Sequence, residues 1–311
     1  MTEPLSLHVG GIQTQVYGLQ NLATSSHEGL AILFFLHGRF GSAADPRMAK
    51  WANSFVSHAA AEREKAGGKG KQLVVVTFDQ RNHGERTINA EKNKGWRERD
   101  SEVEGLDNEA HAVDMLAIQT GTARDVSFLI DFLEPTLWPN GEQTVIDWWC
   151  SGISLGGHST WLALAQEPRL TLGIPIIGSP SVLDLLSHRA ANLPAPHGPL
   201  PITAPYFPSS LLRHIERTDP INVPRSVWKG RKILVLSGGA DELVNYVHGA
   251  TDRFVEVLKG EDGVGKDGVV DVWVQEGTGH KFSNEMVSRA NTFLWEHGLR
   301  SAASATAGAR M

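Results

Sequence analysis

The five residues Gly152-Ile153-Ser154-Leu155-Gly156 fit the pattern G-x-S-x-G. They lie between QTVIDWWC, an apolar run typical of a buried strand, and LGGHSTWLALA, which is typical of a helix. A chain that turns from strand to helix within one residue strains the backbone at the apex and crowds the positions two residues away on either side. The pattern therefore predicts that Ser154 is an exposed nucleophile, although glycines that merely cap a turn would give the same letters.

A serine hydroxyl attacks a carbonyl only when a base removes its proton, and a third group must orient that base. Asp241 directly follows the predicted strand RKILVLS (231–237), and His280 follows the predicted strand VVDVWV (269–274). The order serine, aspartate, histidine is one in which such groups occur along a chain. We therefore expect Ser154 as nucleophile, His280 as base and Asp241 as the carboxylate that orients it. Glu242 is the competing acid, and Asp241 is preferred because it lies nearer the strand end.

Acyl transfer also needs hydrogen-bond donors for the negative oxygen of the tetrahedral intermediate. The amide of Leu155, directly after the serine, is one candidate. The second should come from the loop after an earlier strand, and LFFLHGRFGS provides such a loop. We expect the amide of Arg39 to be this donor, with that of Phe40 as the alternative.

These residues depend on a regular alternation of strands and helices. An early hairpin (LSLHVGG and IQTQVYGL) is followed by apolar strands, and helices are predicted around 109–133 and 242–259 and at the C-terminal end. The predicted strands are 29–36, 71–78, QTVIDWWC, LTLGIPII, 231–237 and 269–274. This alternation predicts a mostly parallel α/β sheet within one domain, residues 1–311.

The alternation is interrupted between residues 181 and 228, which contain eight of the fifteen prolines. Proline-dense sequence does not provide interior strands, so this segment is predicted to be an inserted lid. Its apolar side chains suit an acyl or ring moiety, and they equally suit packing of the lid on its own domain. We take Tyr206 and Phe207 from this segment, together with Phe40, as candidate substrate contacts. A substrate carboxylate would find candidate partners in Arg39, Arg81 and Arg86, of which the last two are as readily structural ion-pair residues.

Composition excludes several classes of protein. The net charge is −6 without a basic block, which argues against binding of nucleic acid. The longest apolar run, Leu30–Leu36, is too short to span a membrane, and the N-terminus lacks the layout of a secretory signal. Thirteen histidines occur without a zinc-binding pattern, so neither a metal nor an organic cofactor is predicted.

The predicted location is intracellular and cytoplasmic, because a single cysteine, Cys150, allows no intrachain disulfide. The C-terminal Ala309-Arg310-Met311 is distantly similar to the peroxisomal signal Ser-Lys-Leu. A polar tail of small residues explains it equally well. The sequence gives no indication of oligomeric state.

Five motifs together resemble the α/β-hydrolase superfamily over nearly the whole chain: LHGRFG, FDQRNHG, GISLGG, GGADELV and GTGHKFS. The layout is similar to small carboxylesterase-like and prolyl-oligopeptidase-like serine hydrolases, without the propeller domain of the latter. The resemblance implies an eight-stranded, mostly parallel sheet with helices on both faces and a lid inserted after the sixth strand. FDQRNHG resembles a turn that is structural in most members.

The resemblance also implies a function. The same three residues, Ser154, His280 and Asp241, would cleave a carboxylic ester or a related small-molecule acyl substrate without a cofactor. Hydrolysis of an amide, lactone or thioester, or acyl transfer to another acceptor, uses the same apparatus. A ligand-binding relative without activity is the alternative from a different class.

Overall fold

One sheet of eight strands organises the chain. The computed structural model describes residues 3–23, 28–98 and 100–301. The strands are β1 (Leu5–Val9), β2 (Ile12–Tyr17), β3 (Leu30–Leu36), β4 (Gln72–Phe78), β5 (Val145–Ile153), β6 (Leu170–Ile176), β7 (Lys232–Gly238) and β8 (Val269–Gln275). Their order across the sheet is β1-β2-β4-β3-β5-β6-β7-β8. Only the pairings β1–β2 and β2–β4 are antiparallel, which confirms the predicted hairpin and the mostly parallel sheet.

Helices cover both faces of this sheet. They are α1 (Pro46–Lys65), α2 (His111–Leu137), α3 (Leu155–Gln166), α4 (Val182–Ala191), α5 (Ser209–Thr218), α6 (Thr251–Lys259) and α7 (Asn284–Phe293). Strand β3 shows why a continuous apolar run is needed. Ile32 and Phe34 join the core cluster with α2 and α3, whereas Leu33 and Phe35 join the cluster with α1 and α7. Because alternate side chains of a strand point to opposite faces, both faces of β3 are buried.

The proline-rich segment 181–228 contains α4, α5 and a short 3₁₀ helix (Arg225–Trp228). Residues 177–231, all of which are described, contain no strand. Phe207, Ile215 and Trp228 are almost completely buried in the core cluster that also holds α2 and α3. The segment therefore packs on the domain through its aromatic and aliphatic side chains.

The helix expected over residues 242–259 is shorter than predicted, since α6 begins only at Thr251. Local side-chain hydrogen bonds hold the preceding residues in turns. Asp241 accepts the amides of Leu243 and Val244, and Asn245 accepts the amides of Val247 and His248. These bonds compete with helical ones, so the chain turns twice before α6 starts.

Among the described residues, no helix is both long and apolar enough to cross a membrane. In the same residues, no group of three or more histidine, cysteine, aspartate or glutamate side chains is arranged to hold a metal ion. The C-terminal tripeptide 309–311 lies outside the described residues.

Candidate active site

Ser154 occupies the junction between β5 and α3, with φ 56° and ψ −110°. Residues other than glycine rarely adopt this backbone conformation, because their Cβ atom makes it strained. A Cβ atom at Gly152 would lie 2.5 Å from the carbonyl carbon of Gly156, and one at Gly156 would lie 2.4 Å from the carbonyl oxygen of Leu36. Both positions must therefore be glycine for the chain to turn here, which confirms the crowding expected from the sequence.

Three side chains meet at the carboxyl ends of β5, β7 and β8. Ser154 Oγ lies 2.9 Å from His280 Nε2, and His280 Nδ1 lies 2.8 Å from Asp241 Oδ2. Asp241 is fully buried, and its other oxygen accepts the amides of Leu243 and Val244, each at 2.9 Å. The carboxylate that contacts His280 is thus that of Asp241 rather than the exposed Glu242.

The protonation state of Asp241 fixes the direction of these bonds. Burial raises the pKa of its carboxyl group, but the hydrogen bonds from His280 and from two backbone amides outweigh burial and hold the pKa below its ordinary value. An ionised carboxylate only accepts hydrogen bonds, so His280 Nδ1 donates to it. In a neutral imidazole Nε2 is then the nitrogen without a proton, and it can accept the Ser154 proton.

The loop after β3 lies directly against Ser154. A Cβ atom at Gly38 would lie 3.7 Å from Ser154 Cβ. His37 fixes this loop, because its Nδ1 donates to Gly38 O at 2.8 Å while its Nε2 accepts the Gln80 amide at 3.1 Å. Burial lowers the pKa of His37 to about 4, which keeps the ring neutral as these bonds require. The Gly156 amide donates to His37 O at 3.1 Å and so joins the loop to α3.

Three backbone amides, one at the start of α3 and two in the loop after β3, are candidate donors. Leu155 is the first residue of α3, so its N–H has no partner within the helix. In the part of the chain that the structure describes, neither this amide nor that of Arg39 donates to a protein acceptor. The amide of Phe40 shares this property, and Phe40 has a left-handed φ of 62°. Both residues of the loop thus stay candidates for the second donor.

The arginines considered from sequence are engaged with carboxylates. Arg39 Nη1 lies 2.6 Å from Glu98 Oε1, and the guanidinium stacks 4.6 Å from the centre of the Phe40 ring. Arg81 and Arg86 share the buried Asp125, at 3.0 and 2.8 Å. The last two arginines are therefore structural ion-pair residues.

A cleft of about 1010 Å³ opens beside His280. The structure places none of the three predicted substrate contacts on its wall. Phe207 is fully buried behind Trp96, with the two ring centres 5.5 Å apart, because the domain core takes up this apolar side chain. Tyr206 is partly buried against the same core, and Phe40 is 59% exposed beside a different, shallow depression. None of these three side chains lines the cleft beside His280, and their role as substrate contacts stays a prediction.

The cleft is instead lined by side chains that sequence reasoning missed, among them Trp96, His111 and Arg189. Arg189 lies on α4, whose buried residues are Val182, Leu185, Leu186 and Ala190. That spacing identifies the packed stripe of the helix, and Arg189 lies next to it. The sequence contained no sign of which neighbouring surface α4 meets.

Comparison with solved structures identifies the fold. TT1662 from Thermus thermophilus matches with a TM-score of 0.61 and 18% identity, over 94% of this chain and 97% of that one. Est1E from Butyrivibrio proteoclasticus, solved with ferulic acid bound, matches with a TM-score of 0.52 and 13% identity, over 93% and 95%. The acylaminoacyl peptidase of Pyrococcus horikoshii matches with a TM-score of 0.53 and 14% identity, over 94% of this chain but 40% of that one.

The sheet topology and these similarities show that the chain has the α/β-hydrolase fold. No protein-family model matches the sequence, and no curated protein sequence matches it.

Proposed function

We propose that the protein is a serine hydrolase that cleaves a carboxylic ester of a small molecule through an acyl-enzyme intermediate. One observation carries the proposal: an unbroken series of hydrogen bonds runs from Ser154 through His280 to Asp241. The strained backbone of Ser154 supports it, because strain of this kind at an apex is maintained where a side chain must be presented.

The geometry suggests how each residue acts. His280 Nε2 takes the Ser154 proton as Oγ attacks the ester carbonyl, and the Asp241 carboxylate stabilises the imidazolium that forms. The oxyanion accepts hydrogen bonds from the Leu155 amide and from that of Arg39 or Phe40, and each such donor contributes about 3 kcal/mol to transition-state stabilisation. His280 then gives its proton to the departing alcohol. Water repeats the sequence and releases the acid.

Two alternatives are addressed by the site. The similarity to an acylaminoacyl peptidase keeps amide cleavage as the second candidate, and amides use the same residues. A ligand-binding relative without activity would not need the strained serine or its hydrogen bond with His280 Nε2. Those two features favour an enzyme.

We further propose that residues 1–311 form one α/β-hydrolase domain and that 181–228 is the lid of its site. The position of the segment after β6 supports this, as does the contribution of residues 188, 189 and 192–197 to the cleft wall.

The test is hydrolysis of p-nitrophenyl esters from acetate to decanoate by the wild type and by Ser154→Ala. Ser288→Ala, on the exposed side of α7, serves as the matched control. We expect turnover that Ser154→Ala reduces by at least about 10⁴-fold and that the control retains. Undiminished turnover by Ser154→Ala would overturn the proposal. Cleavage of the matching p-nitroanilides, but not of the esters, would move it to amides.

A further inference from the structure

Arg189 carries a positive charge in the cleft wall and has no carboxylate partner. Its Nε and one Nη donate to a single acceptor, the carbonyl oxygen of Leu243, at 3.2 and 2.7 Å. A guanidinium has five N–H donors, so most of its donors remain unused. Within residues 3–23, 28–98 and 100–301, no carboxylate oxygen lies within 4.0 Å of it.

The neighbouring carboxylates already have closer partners. Glu98 binds Arg39 at 2.6 Å, and Asp241 binds His280 at 2.8 Å. Glu242 also lines the cleft, but it is exposed to solvent and makes no ion pair with Arg189. Within the described residues no carboxylate forms an ion pair with Arg189, and the charges of Asp241 and Glu98 act on its guanidinium only from beyond 4.0 Å.

The other groups around Arg189 do not change this balance. Arg97 lines the cleft, yet its guanidinium donates to the backbone carbonyls of Ser101, Val103 and Gly105. Burial lowers the pKa of Arg189 to about 10, and the positive charge of Arg39 acts in the same direction, whereas the negative charges of Asp241 and Glu98 oppose the shift. A partly buried cation whose hydrogen bonds go to one backbone carbonyl is incompletely neutralised, and an anion bound in the cleft would neutralise it.

We propose that Arg189 is a substrate-binding residue that receives a carboxylate of the substrate, so that the preferred esters carry a free carboxylate in addition to the ester bond. This rests on the proposed function, because His280 lines the same cleft. A single guanidinium with unused parallel donors matches a carboxylate, which it binds through two hydrogen bonds. Half-esters of dicarboxylic acids, and hydroxybenzoic acids acylated on the phenol oxygen, are the simplest members of this class.

The experiment compares matched pairs of esters that differ only in the carboxylate. On the acyl side, p-nitrophenyl monoesters of adipic, pimelic and suberic acids are compared with p-nitrophenyl hexanoate, heptanoate and octanoate. On the alcohol side, 4-carboxyphenyl acetate is compared with phenyl acetate. The measured quantity is the ratio of kcat/KM for the charged ester to that for its neutral partner, in the wild type, Arg189→Gln, Arg189→Lys and Arg97→Gln.

We expect at least one pair to show a ratio that Arg189→Gln lowers by about 100-fold, mainly through KM, and that Arg189→Lys partly restores. Arg97→Gln, which removes a cleft arginine whose donors are already bound, should keep the ratio within about 3-fold. A ratio that Arg189→Gln does not change would overturn the proposal. If Arg189→Gln instead lowered kcat/KM equally for the charged ester and for its neutral partner, Arg189 would only hold the Leu243 loop.

A binding measurement separates this proposal from the proposed function. Calorimetric titration of Ser154→Ala with adipate and with 4-hydroxybenzoate needs no turnover. Binding that the second substitution Arg189→Gln abolishes would support the carboxylate site even if no ester were hydrolysed. Binding of neither acid, together with esters hydrolysed without preference for charge, would refute the site and leave the hydrolase intact.

Discussion

The backbone strain at Ser154 predicts an unusual effect of replacing this serine. With φ 56° and ψ −110°, any side chain at this position costs of order 1–3 kcal/mol of folding free energy. Glycine tolerates such angles but loses more conformational freedom on folding, which costs about 0.5–1 kcal/mol relative to alanine. Ser154→Gly and Ser154→Ala both lack the hydroxyl that contacts His280. The difference between these two variants therefore isolates the strain.

We expect Ser154→Gly to be more stable than Ser154→Ala by about 1 kcal/mol, which corresponds to about 2 °C in Tm for a chain of this size. The control is the same pair of substitutions at Ser288, an exposed residue inside α7. There glycine should be less stable than alanine by about 1 kcal/mol, because it weakens a helix interior. Urea unfolding at 25 °C and calorimetry measure both differences. A Ser154→Gly variant that is no more stable than Ser154→Ala would refute the argument from strain.

Three further predictions concern stability and the site. Burial keeps three histidines neutral in the folded chain, with pKa values lowered to about 4, about 3 and about 3: His37, His111 and His158. The unfolded chain protonates these histidines below pH 6.5, whereas the folded chain does not. Their burial therefore costs the fold no stability above pH 6.5, and the free energy of unfolding is highest there. The free energy of unfolding falls by up to about 1.4 kcal/mol per pH unit for each histidine as the pH drops toward 4. Urea unfolding should show this dependence on pH, and His111→Gln should reduce the slope by the share of one histidine. Gly156→Ala should destabilise the fold by about 1–3 kcal/mol, since its Cβ would lie 2.4 Å from a carbonyl oxygen, whereas Gly105→Ala, in open space, should not change Tm. Asp241→Asn should lower kcat about 10³- to 10⁴-fold with little loss of Tm, because the asparagine oxygen stays on the two loop amides and its NH₂ forces the wrong tautomer on His280. A kcat within 10-fold of wild type would contradict that role.

The sheet could be predicted from the sequence because its strands are marked locally. The run LAILFFL is apolar at every position and QLVVVTF at all but Gln72 and Thr77, and the structure buries every one of these side chains. Once the strands were placed, their carboxyl ends brought Ser154, Asp241 and His280 to one edge of the sheet. The positions of the three residues therefore followed from short-range patterns.

The start of α6 and the wall of the cleft could not be predicted, for different reasons. Residues 242–250 belong to the predicted helix, but hydrogen bonds accepted by the side chains of Asp241 and Asn245 hold them in turns, and apolar periodicity does not reveal such bonds. The cleft wall depends on contacts between distant segments. Arg39 pairs with Glu98, 59 residues away, and Arg189 reaches the Leu243 carbonyl, 54 residues away. The sequence carries no spacing that relates these partners.

The packing of Phe207 illustrates the same limit. An aromatic residue in an inserted segment serves equally well to bind a substrate or to anchor the segment. The structure shows the second, with the ring fully buried against Trp96. Only the packing of residues 181–228 on the rest of the chain distinguishes the two.

The central claim is that Ser154 is a nucleophile activated by His280, and covalent trapping tests it most directly. The wild type, Ser154→Ala and His280→Asn would each be treated with a fluorophosphonate, followed by intact mass measurement and peptide mapping. The account predicts one adduct on the wild type, located on Ser154, absent from Ser154→Ala and formed far more slowly by His280→Asn. A wild type that takes up no label, or a label that persists in Ser154→Ala, would contradict it.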